Sequence, residues 1–486
     1  MGSLAQDAQN PNILYMGTGE GYGGIAAGIG IFRSLDGGVN WELLPATNNG
    51  QFIYTRELLV HPSGDVYAGT STGLFRSQDQ GNTWQRVLGV DAGASVNNVY
   101  EINYVPANNK IYVSLTNVIF TSQTGNKGEW VSITTSSSGF PSNWARAEIA
   151  VSLSNPNIIY AIGSISGSAS SVYKTSNGGT TWQNLGKVGG VEDFTNGQAW
   201  YDLEIAVDPF NPQHVIAGGV PIFRSLNGGV AWERFAFNMH VDQHLTVFDE
   251  AQPGIVYFGN DGGVWRSTNG STQQVQDRNL DYNVTQFYAG AIHPEALSNY
   301  ILGGTQDNNS LQLNGSGITS ARVVNGGDGM LCHIDQNEPQ YQLVSSQFGN
   351  YALSTDGGRT FGGGASVNGA FVNPSDYDDL ANILYTETGD GDYYRWKIPN
   401  STPELVNIQN ADPAISVVYV DPSTPNRVYF GTFGGDLFRV DNAHTGNDKT
   451  AERVRIGGRG EVSGIVVEKK QSQPPADYLL QLWASR

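Results

Sequence analysis

The octets SLDGGVNW (residues 34–41) and SQDQGNTW (77–84) share one pattern, a hydroxyl residue, a short polar residue, a glycine turn and a closing tryptophan. The pattern returns as TSNGGTTW (175–182), SLNGGVAW (225–232), a decayed STNGSTQQ (267–274) and STDGGRTF (354–361). Recurrence of one short motif along a chain is the signature of a tandem repeat.

Each octet needs its residue types. The short polar side chain at the third position (Asp36, Asp79, Asn177, Asn227, Asp356) can accept hydrogen bonds from turn amides, and the glycines reach the positive-φ backbone of a tight turn. Trp41, Trp84, Trp182 and Trp232 close the motif. Burying one tryptophan removes roughly 150–250 Å² from water, so these residues are expected as structural staples between strands.

Strand punctuation surrounds the octets. GIFRS, GLFRS, SVYKT, PIFRS and GVWRS precede an octet, and before them come proline-led runs such as NPNILYMG, NPNIIYAIG and TPNRVYFG. Further upstream lie RELLVHP, EIAVSL, LEIAVDP and SVVYVDP. Short apolar runs rich in β-branched and aromatic residues, bounded by Gly, Pro and Asn, read as strands. One unit is therefore strand A, strand B, strand C, octet turn, strand D, and four antiparallel strands in about 45 residues make a β-propeller blade.

A degenerate TSQTGNKGEW (121–130), a lost turn near Asn314, and the C strands DYYRW (392–396) and DLFRV (436–440) fill the gaps. The expectation is an all-β propeller of ten blades over residues 1–470, with a tail at 471–486. Strands B, C and D of the first blade are expected to be closed by an A strand at 461–468. Alternatives are that Met1–Asp7 is itself an A strand of a truncated array, or that two propellers share the units.

Composition narrows the function. With 26 Lys and Arg against 45 Asp and Glu the net charge is −19, which leaves no basic stripe for nucleic acid or an anionic membrane. The single cysteine, Cys332 in MLCHI, rules out an internal disulfide and reads as a core residue. No apolar run is long enough for a membrane helix, and the first residues lack the pattern of a signal peptide.

The octets resemble the Asp-box, S-x-D-x-G-x-T-W, of bacterial neuraminidase-type repeats, a motif shared by sialidases, xyloglucan-processing glycosidases, a photosystem assembly factor and the ten-bladed ring of sortilin receptors. GQAWYDLEIAVDP (197–209), HVDQH (240–244), GNDGGVWRS (259–267), GGTQDNN (303–309) and NGGDGM (325–330) are similar to secreted, glycosyl-hydrolase-like repeat proteins of bacteria. The resemblance implies a propeller and an extracellular setting. It also makes Asp261 the catalytic candidate, because GNDGGVWRS resembles the glycosidase segment in which an aspartate serves as acid or base.

In a blade the octet turn lies at one end, so the B-to-C and D-to-A loops emerge together at the other. Those loops carry Glu20, Tyr22, Trp200, Tyr201, Asp307, Asp328, Glu387 and Asp390. Carboxylates interleaved with aromatics suit a sugar site, where rings stack on sugar faces and paired acids serve glycoside chemistry. Arg56 and Arg146 are the arginines that could face the same mouth. If HVDQH is extended, His240, Asp242 and His244 project to one side and could hold a divalent metal ion. Two functions remain open: a carbohydrate-active propeller acting on or binding a polysaccharide, and a non-catalytic adhesion module with a protein ligand.

Overall fold

The computed structural model describes every residue except Met1, 23–25, 95, 269–274, 281, 283, 316–320, 400–401, 410–414, 456–459, 470–477 and 484–486. The protein is a β-propeller. Its described helical segments are four short 3-10 turns, and the rest of its regular structure is strand.

Among the described residues, ten sheets are built on one plan of four antiparallel strands, two of them carrying a fifth. The second is representative: Thr55–Val60, Val66–Thr70, Gly73–Ser77 and Gln85–Leu88 pair in chain order. The chain forms two compact units, Met1–Tyr282 with six of these sheets and Asn283–Arg486 with four.

Consecutive sheets in each unit pack face to face. Tyr15 and Ile31 of the first sheet and Leu44 just after it meet Phe52, Leu58 and Phe75 around the second, and Tyr160 and Val172 of the fourth meet Val215 and Phe223 of the fifth. Within each unit the A strands lie beside one another, as Thr55–Val60 does beside Val99–Val105. Cys332 is buried in this packing, its thiol pushed up to about 12 by burial.

The octets make the expected hydrogen bonds. Gly38 N and Gly81 N donate to Ser34 Oγ and Ser77 Oγ at 2.9 and 2.8 Å, and Asn40 N and Thr83 N donate to Asp36 and Asp79 at 2.9 and 2.8 Å. Asn177, Asn227 and Asp356 accept in the same way from Thr181 N, Ala231 N and Thr360 N. Burial of the tryptophans is uneven. Trp182 is 7% exposed, while Trp41, Trp84 and Trp232 are only half-buried and donate to the carbonyls of their own Gly38, Gly81 and Gly229. Residues 269–274 of the decayed octet lie outside the described residues.

Strand pairing corrects the expected closure. Ser3–Gln6 pairs with Leu14–Gly17 and fills the A position of the first sheet, while Gly464–Lys469 pairs with Tyr478–Trp483. The expected A strand at 461–468 thus begins a hairpin with part of the supposed tail. Local pairing closes a short loop at small entropic cost, whereas the seam would have joined strands more than 400 residues apart in sequence.

Candidate functional site

The turn at Asp261 is as tight as a hairpin allows. Asn260 pairs with Gly263, leaving Asp261 and Gly262 as the two loop residues between the B and C strands of the sixth sheet. Gly263 has φ +108, a conformation that glycine adopts without strain. Asn260 Oδ1 accepts from Gly262 N and from Trp265 Nε1, so the turn is braced from both sides.

Asp261 is held by two donors. Tyr201 Oη lies 3.1 and 3.0 Å from its two carboxylate oxygens, and His244 Nε2 lies 2.6 Å from Oδ1. The Tyr201 and His244 rings meet edge to face at 4.6 Å. The Asp261 side chain is 9% exposed. A carboxylate that faces an O–H and an N–H is arranged as an acceptor.

Tyr201 belongs to a D-to-A loop between the fourth and fifth sheets. The loop is tied at its start by Asp193, which accepts from Ala169 N, Thr195 N, Thr195 Oγ1 and Gly197 N. Burial acts to raise the Asp193 carboxyl, but these hydrogen bonds prevail and hold it down to about 2. Trp200, next in line, is 48% exposed, and its ring lies 5.5 Å from that of Tyr201. A half-exposed indole presents a face on which a sugar ring can stack.

Asp202 lies 0% exposed, and neither of its oxygens meets an N–H or O–H donor. It faces the Asp242 carboxyl, and burial followed by the Asp242 charge pushes Asp202 up to about 9. Asp242 Oδ1 in turn accepts from Gln198 Nε2 at 3.4 Å. Asp242 is itself raised, by burial first and then by the charge of Asp261. Asp202 and Asp242 are thus both raised, while Asp261 is held by Tyr201 and His244.

His240, Asp242 and His244 do not form the expected metal set. Asp242 has φ +62, which breaks the two-residue alternation before the A strand begins at Gln243. His244 turns to Asp261, and His240 Nδ1 donates to Val241 O at 3.0 Å. Among the described residues no group of three or more His, Cys, Asp or Glu side chains is arranged to hold a metal ion.

Asp202 and a row of glutamates were missed in the sequence, and Arg146 was read only as an arginine that could face the mouth. Glu57, Glu101, Glu148 and Glu204 each precede an apolar run on four successive A strands, visible in RELLV, YEINYV, AEIAV and LEIAV. Burial raises Glu57 and Glu101, with the charge of nearby glutamates adding to it, and pushes Glu204 up to about 7. Glu148 is instead paired with buried Arg146 at 2.6 Å. Such repetition of an acid on inward strands is a sequence signal that the octets overshadow.

The remaining loop residues are distributed differently. Tyr22 is stacked 3.8 Å from the Arg146 guanidinium and 6.3 Å from the Tyr100 ring, while Glu20 accepts from Ala26 N. Arg56 covers the other ring, its Cζ 4.8 Å from the Tyr100 centroid. In the second unit Asp328 accepts from Asp307 N at 2.8 Å and from Gln347 Nε2 at 3.0 Å, and Asp390 is exposed. Glu387 is buried, accepting from Ala370 N and Gly389 N, so its side chain fastens its own loop.

No protein-family profile matches the chain. The xyloglucanase Xgh74A of Acetivibrio thermocellus is 24% identical over 246 residues, covering 43% of this chain and 27% of that protein. The chain thus spans about a quarter of the length of this curated relative. Among solved structures, the GH74 xyloglucanase of Xanthomonas campestris aligns with a TM-score of 0.66 at 18% identity, covering 96% of this chain and 74% of that one. An ancestral GH74 enzyme aligns with a TM-score of 0.55 at 17% identity, covering 99% and 76%. These likenesses concern the fold.

Proposed function

We propose that the protein is an extracellular, carbohydrate-active propeller of glycoside hydrolase type, with its site at Asp261 on the loop end of the first unit. The observation that carries the reading is the contrast between two neighbouring acids. Asp261 is held by two donors, whereas Asp242 is raised by burial and by the Asp261 charge, and Asp202 behind it is raised as well. Glycoside hydrolysis uses such a contrast, one protonated carboxyl and one ionised carboxylate.

In this reading Asp242, which is half-buried, donates its proton to the glycosidic oxygen as the carbon–oxygen bond breaks. Asp261 acts on the opposite side, either taking a proton from the attacking water or adding to the sugar carbon. Trp200 stacks on a flanking sugar ring. Xyloglucan is the first polysaccharide to test, because the relatives carry that name.

Among the described residues no helix is long and apolar enough to cross a membrane. The extracellular setting rests on the acidic composition and on the sequence resemblance. Assay of new reducing ends across a polysaccharide panel tests the proposal. Cleavage lost in Asp261→Asn supports it. Absence of both cleavage and binding for every glycan overturns it and favours an adhesion module.

A further inference from the structure

Arg146 takes no part in the chemistry proposed above, yet its whole guanidinium is engaged. Nε donates to Glu148 Oε1 at 2.6 Å. Nη1 donates to Trp200 O at 3.3 Å and Tyr201 O at 2.9 Å, and Nη2 donates to Leu203 O at 2.6 Å. The Arg146 side chain is 4% exposed and that of Glu148 5%.

Three carbonyls within four residues of one loop meet one rigid, planar group. That loop is a turn in which Tyr201 N and Asp202 N both donate to Gln198 O, at 2.7 and 3.0 Å. Buried carbonyls require donors. The fork of a guanidinium supplies them in fixed relative positions, which the single point charge of a lysine cannot do. Glu148 anchors the fork to the A strand Arg146–Val151, and the Tyr22 ring from the first sheet covers its face at 3.8 Å.

We propose that Arg146 is the positioning residue of the site. By fixing the carbonyls of Trp200, Tyr201 and Leu203 it places the Tyr201 hydroxyl on Asp261. Its link to catalysis rests on the proposed function, but the clamp itself rests on hydrogen bonds alone.

The test uses the full chain with 3-fluorotyrosine at position 201, read by fluorine NMR. Asp261→Asn supplies the reference shift for an altered partner. In Arg146→Met and Arg146→Lys the resonance is expected to leave its parental position or to split into several, while circular dichroism keeps the folded signature. Arg146→Lys retains the charge beside Glu148, so it decides the matter where Arg146→Met fails to fold. A parental resonance in a folded variant overturns the proposal.

Glycan cleavage provides the second readout. The variants are expected to lose about tenfold or more in kcat with little change in KM, the mark of misplaced groups rather than lost binding. A parent that cleaves no glycan defeats the proposed function and leaves the resonance to judge the clamp.

Discussion

His244 Nε2 donates to Asp261 Oδ1 over 2.6 Å, joining the first residues of an A strand to the two-residue turn between strands B and C of the same sheet. Tyr201 reaches the same carboxylate from the loop between the fourth and fifth sheets. Asp261 is therefore oriented from two directions, and each direction can be removed separately.

Removing either donor should misplace the carboxylate. A hydrogen bond to a charged group contributes about 1.5–3 kcal/mol, which corresponds to roughly 10- to 100-fold in rate. Tyr201→Phe and His244→Ala are each expected to reduce glycan cleavage within that range. Because both act on one group, the double variant should lose less than the product of the two losses. Initial rates of reducing-end release check this.

Asp202 predicts how stability depends on pH. Its folded-state value of about 9 lies above the ordinary 3.8, so the folded protein keeps a proton that the unfolded chain releases. Its contribution is fully present below about pH 4 and is lost as pH rises through about 9, with a slope of about 1.4 kcal/mol per pH unit for one proton. Asp202→Asn mimics the neutral form and should flatten that part of the curve. Urea denaturation of parent and variant at pH 5 and pH 8 measures the difference, with the variant gaining relative stability at the higher pH.

Glu204 predicts a second, narrower window. Burial pushes it up to about 7 from 4.5, against the lowering effect of its Thr246 hydrogen bonds. Its stabilising proton is fully present below about pH 4.5 and is lost as pH rises through about 7. Glu204→Gln should remove its own share of the slope between those values and leave the slope from Asp202 in place up to about pH 9. The same denaturation series distinguishes the two residues.

Packing between sheets predicts a third effect. A Cβ added at Gly163 would fall 2.1 Å from the Trp144 ring, which is buried in the cluster between the third and fourth sheets. Gly163→Ala should cost about 1–3 kcal/mol, since a rigid ring in a packed core must move. Gly50→Ala, where the added Cβ meets nothing within 4 Å, is the control and should stay within about 0.5 kcal/mol. Thermal melts of the two variants check the contrast.

The blade was legible because its signals are local. The octet bonds from Gly38 N, Gly81 N, Gly229 N and Gly358 N to a hydroxyl four residues earlier follow from the motif alone. Asp261 was legible as a loop residue, since Asn-Asp-Gly-Gly can hardly continue a strand. The pairing of Asp202 with Asp242 was not, because it joins two loops 40 residues apart and depends on a left-handed backbone at Asp242. HVDQH read as an extended segment gave a metal set, whereas the actual turn sends His244 to Asp261. Arg146 was noted only as a possible mouth arginine, because nothing local reveals which distant carbonyls need a donor.

The most direct test of the account is the hydrolysis of xyloglucan by the parent protein and by Asp261→Asn, measured as new reducing ends at pH 6 with folding verified by circular dichroism. The account predicts release by the parent and at least 100-fold less by the variant at equal melting temperature. Equal release by the two proteins, or none by the parent on xyloglucan or any other polysaccharide, would contradict it.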